Sequence, residues 1–545
     1  MFLSRTDARA TTRTRSSCDS GLTNRQSDGH GSAGCSATDV TDITRRDLLR
    51  SLGAVTVAGV AAPFNALQSS RIPFEPDVEI ALTALPAEVS ILSGAPTRVW
   101  RFTGRVLKGP VQSLQTMPDS YLGPTLRLRR GQKVRIRFEN RLPDPSIVHW
   151  HGLDVPEKAD GHPRLAVPTG GDYVYDFEVT NRAGTYWYHP HPHMQTGPQV
   201  YKGLAGLLIV TDDEDAALDL PSGEQELSWV LQDRRFDAKN QLVYSTAMMD
   251  METGFLGDRV LVSGHERPVF SLATRAYRVR VLNGSNARVY KLGWSDGTPI
   301  TVLGVDGGLL ERPRSQAFVT LAPAQRLDMW LDLSQRPLGA TLELRSVAFS
   351  VADAGIVMGG MMRGMMGGGS RVPLGAPVSL LTARVARKES VASRLPDRLS
   401  TFDRKPQLAA GVPIRQIPLA FQAMQWTMAG RRFDMAAVAA DETVAPGSTH
   451  LWEFVNGGGP MGMQMAHPIH IHGRQFRVVS RSGGNPANTL REGLVDDGWT
   501  DTVLVLPNET VRAQVTFSRY SGLFLYHCHV LEHEDMGMMR NFRIT

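Results

Sequence analysis

Three short segments of this chain read almost alike, and their recurrence sets the architecture. Val-Arg-Ile-Arg-Phe-Glu-Asn ends at Asn140, Tyr-Arg-Val-Arg-Val-Leu-Asn at Asn283 and His-Leu-Trp-Glu-Phe-Val-Asn at Asn456, each running on into turn or loop residues. A second piece follows later in each copy: Gly184 to His191, Gly339 to Arg345, and Gly522 to His529. Self-similarity of this kind implies three related domains, and 545 residues suit three or four. Within the copies, Val134, Ile136 and Phe138 alternate with Arg135, Arg137 and Glu139, and Tyr173, Tyr175, Phe177 and Val179 are spaced likewise. Alternation marks half-buried strands. Long helical periods are scarce, so the expected class is all-β, built of sandwiches. The expected domains are 72–218, 222–388 and 400–545. Metal-binding residue types fall in the first and third, which leaves the middle one as a spacer.

Ten of the 15 His sit in four clusters: His149-Trp150-His151, His189-Pro190-His191, His467-Pro468-Ile469-His470-Ile471-His472, and His527-Cys528-His529 followed by His533. Side chains two apart on a strand share a face. Each His-x-His pair can therefore aim both imidazoles at one place, and four pairs supply eight, which suits a metal cluster rather than a single ion. The residue between the members of a pair points the other way. At Cys528 that puts a thiolate opposite His527 and His529. With His467, His533 and a thioether from Met538, it makes the His₂Cys set with weak axial Met of a blue-copper site; Met536 and Met539 lie close enough to compete for the axial place. A zinc site closes with four ligands, far fewer than this arrangement offers. Cys18 and Cys35 lie in the first forty residues and Cys528 is the only other cysteine, so the body of the chain has no disulfide framework.

These motifs resemble those of the multicopper oxidases, the family of laccases, ascorbate oxidase and bacterial cuprous oxidases. The likeness runs through nearly all of 72–545 and includes stretches without ligands, such as Leu282-Asn283-Gly284-Ser285-Asn286-Ala287-Arg288 and Asp306-Gly307-Gly308-Leu309-Leu310. Within the family the chain is most similar to bacterial periplasmic copper efflux oxidases. The resemblance implies three consecutive cupredoxin-like Greek-key β-sandwich domains and four copper ions. It assigns type 1 copper to His467, Cys528, His533 and Met538, the last selected by family spacing. It assigns type 2 copper to His149 and His470, and the type 3 pair to His151, His189, His191, His472, His527 and His529. The three-copper cluster is then expected between the first and third domains. Reduction of O₂ to water consumes four protons, and a buried cluster needs acids close by. Asp160 and Glu534 match acidic residues that serve the cluster in this branch. His162, His193, His265 and His450 match no ligand position.

The chain has 21 Met. Residues 358–366 read Met-Gly-Gly-Met-Met-Arg-Gly-Met-Met and are followed by three more Gly, and Met461, Met463 and Met465 precede His467. Interleaved Gly disfavours helix, and thioethers are soft ligands that select Cu(I). The expected role of the loop 358–369, through Met358, Met361, Met362, Met365 and Met366 and with Met463 and Met465, is to capture Cu(I) and present it at type 1 copper. Cuprous oxidases of this branch place Asp and Met before the first type 1 His. Met465 matches the Met, but Met463 stands where the Asp would be. The expected reaction is oxidation of Cu(I) to Cu(II), as in copper detoxification, coupled to reduction of O₂. The alternatives are a laccase-type oxidation of phenols or diamines and, outside enzymes, an exported copper-binding or scaffold protein.

Residues 1–43 are rich in Ser, Thr, Arg, Gly and Asp, and a disordered extension is expected there. Residues 44–70 hold Arg45-Arg46 before an apolar stretch from Leu52 to Ala62, too short for the roughly 20 residues a membrane span needs. This part resembles a Tat export signal, which implies the Tat machinery as a partner and the periplasm or cell envelope as destination. No other segment reads as transmembrane, so no membrane association is expected once the signal is removed. A net charge of +5 provides no field for nucleic acid, and a monomer is expected.

Overall fold

Val134, Ile136 and Phe138 are buried, while Arg135, Arg137 and Glu139 face outward and pair with other charged side chains. Strand Lys133–Asn140 runs parallel to Val78–Val89 and antiparallel to Asp172–Glu178. The other two copies of the repeat are wired identically. Ala276–Asn283 runs parallel to Glu226–Arg234 and antiparallel to Arg326–Asp332; Thr449–Val455 runs parallel to Ile414–Gln422 and antiparallel to Glu509–Thr516. The Asn that closes each copy is buried and ties its strand end to neighbouring loops. Asn140 Nδ2 donates to the carbonyls of Asp144 and Val167, Asn283 Nδ2 to those of Arg288 and Leu321, and Asn456 Nδ2 to those of Met465, Val505 and Leu506. Capped backbone carbonyls of this kind explain why Asn recurs at that place.

The computed structural model describes residues 74–355, 370–389, 393–402, 410–457, 464–517 and 519–545. The expected extension 1–43, the signal 44–70, the Met-Gly loop 358–369 with Met358, Met361, Met362, Met365 and Met366, and also Met461 and Met463 lie outside these residues. The described chain is all-β. Six sheets pair in chain order around three apolar cores, and strands distant in sequence lie side by side as in Greek-key sandwiches. In each pair, the second sheet carries the later repeated piece. Gly184–Pro190 and Gly522–Cys528 each lie beside a further strand that bears His: Val148–His151 pairs with the first, setting His149 opposite His189, and His467–Ile471 pairs with the second, setting His470 opposite His527.

Candidate metal centre

The four His-x-His pairs converge. All eight rings are buried. Across the junction of the first and third units, His149 Nε2 lies 3.4 Å from His470 Nε2, and His191 Nε2 lies 3.4 Å from His527 Nε2. Most of the opposite ring nitrogens are held from behind, while His191 Nδ1 has no partner. His149 Nδ1 donates to the Asp160 carbonyl at 2.6 Å, His470 Nδ1 to the Asp501 carbonyl at 2.8 Å and His472 Nδ1 to Asp160 Oδ2 at 2.8 Å. His189 Nδ1 and His527 Nδ1 face the carbonyls of Pro190 and Cys528. His151 is turned the other way: its Nε2 meets Asp501 Oδ1 at 3.0 Å and Thr502 Oγ1 at 3.2 Å, and its Nδ1 has no partner.

This geometry fits a bound cation cluster. With protons on the outer nitrogens, lone pairs face each other inside, most closely at 3.1 Å between His472 Nε2 and His527 Nε2. Neutral imidazoles gain nothing from that contact unless a positive ion accepts both lone pairs. His189 Nε2 and both nitrogens of His529 are also buried without a partner. Burial, reinforced by the neighbouring rings, holds His149, His151, His470, His472 and His529 well below the usual imidazole range, so they stand neutral and ready to ligate.

Two acids border the cluster. Burial pushes the Asp160 carboxyl well above its ordinary range, with Arg474 opposing. Glu534 lies 3.1 Å from His527 Nδ1 and 3.4 Å from His191 Nε2. Burial alone would push its carboxyl up, and any positive charge on the His191 and His527 side opposes that shift.

On the far side of Gly522–Cys528, Cys528 Sγ lies 3.5 Å from His467 Nδ1 and 3.6 Å from His533 Nδ1. Burial pushes the thiol well above its ordinary range, so only a cation in contact with the sulfur will favour thiolate there. Met538 is fully buried in the same core cluster as Cys528, and its carbonyl accepts from Cys528 N at 3.0 Å. Met539 instead sits opposite His527 on the neighbouring strand, and Met536 is half-buried at the end of helix Leu531–Asp535. His533 Nε2 donates to the backbone carbonyl of Glu252 at 2.9 Å, and that oxygen also accepts from Trp426 Nε1 at 3.0 Å. The Trp426 ring packs at 4.6 Å from His467 and 4.9 Å from His533.

The described ends of the Met-Gly loop are rooted near this site. Ala466 N donates to the Ala354 carbonyl at 2.9 Å, and Ser370 Oγ donates to the Gly257 carbonyl at 2.8 Å. Met465 is buried beside His467. Helix Met248–Thr253, which carries Glu252, adds Met249 and Met251, half-buried, and an exposed Met248.

Sequence reasoning missed Glu252, Trp426, Asp501, Thr502 and Arg326. It also took the middle unit as a spacer, whereas that unit supplies both the Glu252 carbonyl and the Arg326 guanidinium that grips Asp501. Groups that act from behind a ligand follow no metal-ligand spacing; the visible signal was charge at the start of largely apolar strands, Arg326 opening Arg326–Asp332 and Asp501 preceding Thr502–Val505. His162 is buried, with Nε2 on Asn541 Oδ1 at 2.9 Å; His193 is exposed, and His265 and His450 are half-buried. No described helix is long and apolar enough to cross a membrane.

Two models of the multicopper oxidases match residues 101–215 and 411–545. The chain is 32% identical over 424 residues to the multicopper oxidase mco of Staphylococcus haemolyticus, a match covering 78% of this chain and 82% of that one. It is 27% identical over 512 residues to a laccase of Bacillus subtilis, with 83% and 91% covered. Among solved structures, the McoA multicopper oxidase of Aquifex aeolicus superposes with a TM-score of 0.72 at 32% identity, over 87% of this chain and 97% of that one.

Proposed function

The chain belongs to the multicopper oxidase family, and from that premise we propose that it oxidises Cu(I) to Cu(II) beside Cys528 and passes the electrons to O₂ at the histidine cluster. Four Cu(I), one O₂ and four protons give four Cu(II) and two waters. In this reading His467, Cys528, His533 and Met538 hold type 1 copper, His149 and His470 hold type 2, and His151, His189, His191, His472, His527 and His529 hold the type 3 pair, four resident ions in all. Copper supplies one-electron redox chemistry and a place for O₂ to be reduced. Every other step belongs to the chain.

The observation that carries the reading is the back-to-back arrangement along one strand: Cys528 Sγ faces His467 and His533, while His527 on the same strand faces the cluster, with its Nε2 3.4 Å from His191 Nε2. Two peptide bonds link Cys528 to both flanking histidines, which is a short covalent route for electrons. Asp160 bonds His472 Nδ1 through its side chain and His149 Nδ1 through its carbonyl. A carboxyl raised by burial can hold a proton there and release it during O₂ reduction. Glu534, a carboxyl set between His191 and His527, can relay protons on the other side.

Cu(I) as donor rests on soft ligands in the segments that adjoin the type 1 residues along the chain. In sequence, Met358, Met361, Met362, Met365 and Met366 follow Ala354, whose carbonyl accepts from Ala466 N next to His467. Met465, buried two residues before His467, and the exposed Met248, on the helix that carries Glu252, offer further thioethers, and Met463 lies four residues before His467 in sequence. Copper detoxification and Tat export to the periplasm or cell envelope belong to the same proposal, resting on Arg45-Arg46 and the apolar stretch behind them.

The test is O₂ uptake by copper-loaded protein with Cu(I) held by a weak chelator, run beside a simple phenol. Fast uptake with Cu(I), lost on deletion of 358–366, is expected. Fast phenol turnover with slow Cu(I) turnover would make the protein a laccase instead.

A further inference from the structure

We propose that Arg326, from the middle unit, is a positioning residue of the histidine cluster: it fixes Asp501 so that Asp501 and Thr502 take His151 Nε2 and leave His151 Nδ1 as the ligating atom. The inference rests on the assignment of His151 to copper made above.

Arg326, Asp501, Thr502 and His151 are all buried. Arg326 Nη1 donates to Asp501 Oδ1 at 2.8 Å, and its Nη2 donates to Asp501 Oδ2. Its remaining donors reach fixed carbonyls: Nε to Thr185 at 2.8 Å, Nη1 also to Ala324 at 2.8 Å, and Nη2 to Asp306 at 3.2 Å. One guanidinium thus joins the first unit at Thr185, the middle unit at Asp306 and the third at Asp501. A planar fork with every donor engaged sets the carboxylate plane in a way a single ammonium would not.

Both oxygens of Asp501 are already engaged. Oδ2 is held by Arg326, and Oδ1 also accepts from Thr502 Oγ1 at 3.0 Å and from His151 Nε2 at 3.0 Å. It orients a ligand instead of being one. His151 must carry its proton on Nε2, which leaves an Nδ1 lone pair buried without a partner. His470 stacks on His151 at 3.7 Å, and its Nδ1 donates to the Asp501 carbonyl, so displacement of residue 501 moves two rings. The neighbours of Arg326 reinforce the hold: Gln325 Nε2 donates to the Thr502 carbonyl at 2.9 Å, and Asp306 accepts from Thr500 Oγ1 and Thr502 N. Gly152 lets the parts approach, because a Cβ there would lie 2.5 Å from Asp501 Oδ2 and 3.0 Å from Arg326 Nη2.

A buried ion pair can also serve stability alone, so the control must break a similar one. Arg278 is buried too and forks onto Asp328, with a further bond to Asp215 at 2.8 Å, and touches no cluster His. The experiment compares wild type, Arg326→Gln, Arg326→Lys and Arg278→Gln after copper loading. Each is titrated with a copper chelator, and retained copper is followed by metal analysis and by the type 2 paramagnetic signal, with the thiolate absorption of the Cys528 site as internal reference.

Arg326→Gln is expected to weaken copper retention at the cluster by about 10–100-fold, the usual effect of losing an outer-shell partner, with the thiolate absorption kept. Arg326→Lys should show a smaller loss, and it carries the comparison if the Gln variant does not fold. Arg278→Gln should lower the melting temperature while retaining cluster copper like wild type. Wild-type retention in both Arg326 variants, or equal loss in Arg278→Gln, would overturn the proposal. Wild type that binds copper only at Cys528 would overturn the cluster reading, and this inference with it.

Discussion

His533 Nε2 donates to the backbone carbonyl of Glu252 at 2.9 Å, so a helix of the middle unit fixes a ring whose Nδ1 faces Cys528. The same carbonyl accepts from Trp426 at 3.0 Å. Trp426→Phe removes the indole donor and keeps an aromatic ring between His467 and His533. One lost hydrogen bond should cost about 1 kcal/mol of stability. The carbonyl then serves His533 alone, which makes the imidazole a stronger donor to the metal and favours the oxidised state. A redox titration of the blue absorption should show a lower type 1 potential; a higher one would contradict this account of the bond.

Cys528→Ser leaves a side chain of nearly the same volume in a packed core, so the fold should persist. The hydroxyl provides no thiolate for charge transfer and no soft ligand. The blue colour should vanish and turnover with any donor should fall to background, while the cluster histidines still bind copper. Absorption and metal analysis on one sample check both halves.

Asp160→Asn keeps the shape and can still accept from His472 Nδ1, but it carries no exchangeable acid proton. If Asp160 supplies protons to O₂ reduction, turnover should drop by about 10²–10⁴-fold. Reduction of the blue site by donor should proceed at its normal rate, because Cys528 lies on the other face of its strand. Stopped-flow measurement of reduction and reoxidation separates the two; equal slowing of both would point to misfolding at the cluster instead.

The repeats at Asn140, Asn283 and Asn456 made the sandwich class legible, because hydrophobic alternation follows from the strand period and each Asn caps the same junction. The His-x-His pairs were legible for the same reason: a period of two dictates a shared face. What stayed hidden is held together by tertiary contact. Asp501 lies 350 residues from His151, Arg326 reaches it from another unit, and Glu252 acts through its backbone carbonyl, which no side-chain pattern can advertise. Among the candidate axial thioethers, Met538 shares the Cys528 core cluster while Met539 pairs with His527, a distinction that strand register makes and residue identity does not.

Gly161 follows Asp160 with φ +84°, and a Cβ there would lie 2.7 Å from the Cα of His149 and would strike the Val148 carbonyl. Gly297 has a similar φ of +77° but open space around it. Ala at Gly297 should cost only the left-handed backbone strain, about 1 kcal/mol. Ala at Gly161 should cost more and should also displace the strand that carries His149 and His151. The expected result is a lower melting temperature in both variants, with loss of type 2 copper only in Gly161→Ala. Equal behaviour would mean that the strand yields without moving its ligands.

Acid stability should depend on Glu226, whose side chain is only 7% exposed and is bonded to Arg127 at 2.7 Å and to Arg280 at 2.9 Å. Burial pushes its carboxyl up, but the charges of Arg280 and Arg127 outweigh that and hold it at about 2. A carboxylate with a depressed folded value stabilises the fold at every pH above its unfolded value, near 4.3, and loses that contribution as pH falls towards 2. The contribution is about 3 kcal/mol when complete, from 1.36 kcal/mol per unit. Glu226→Gln leaves the buried Arg280 and the half-buried Arg127 short of a counter-charge, so it should be less stable than wild type at neutral pH. The gap should narrow between pH 4.5 and 2, because wild type is losing the same charge by protonation. Thermal unfolding of both proteins across that range tests the linkage. A gap that stays constant down to pH 2 would show that the carboxylate is not held low in the folded state.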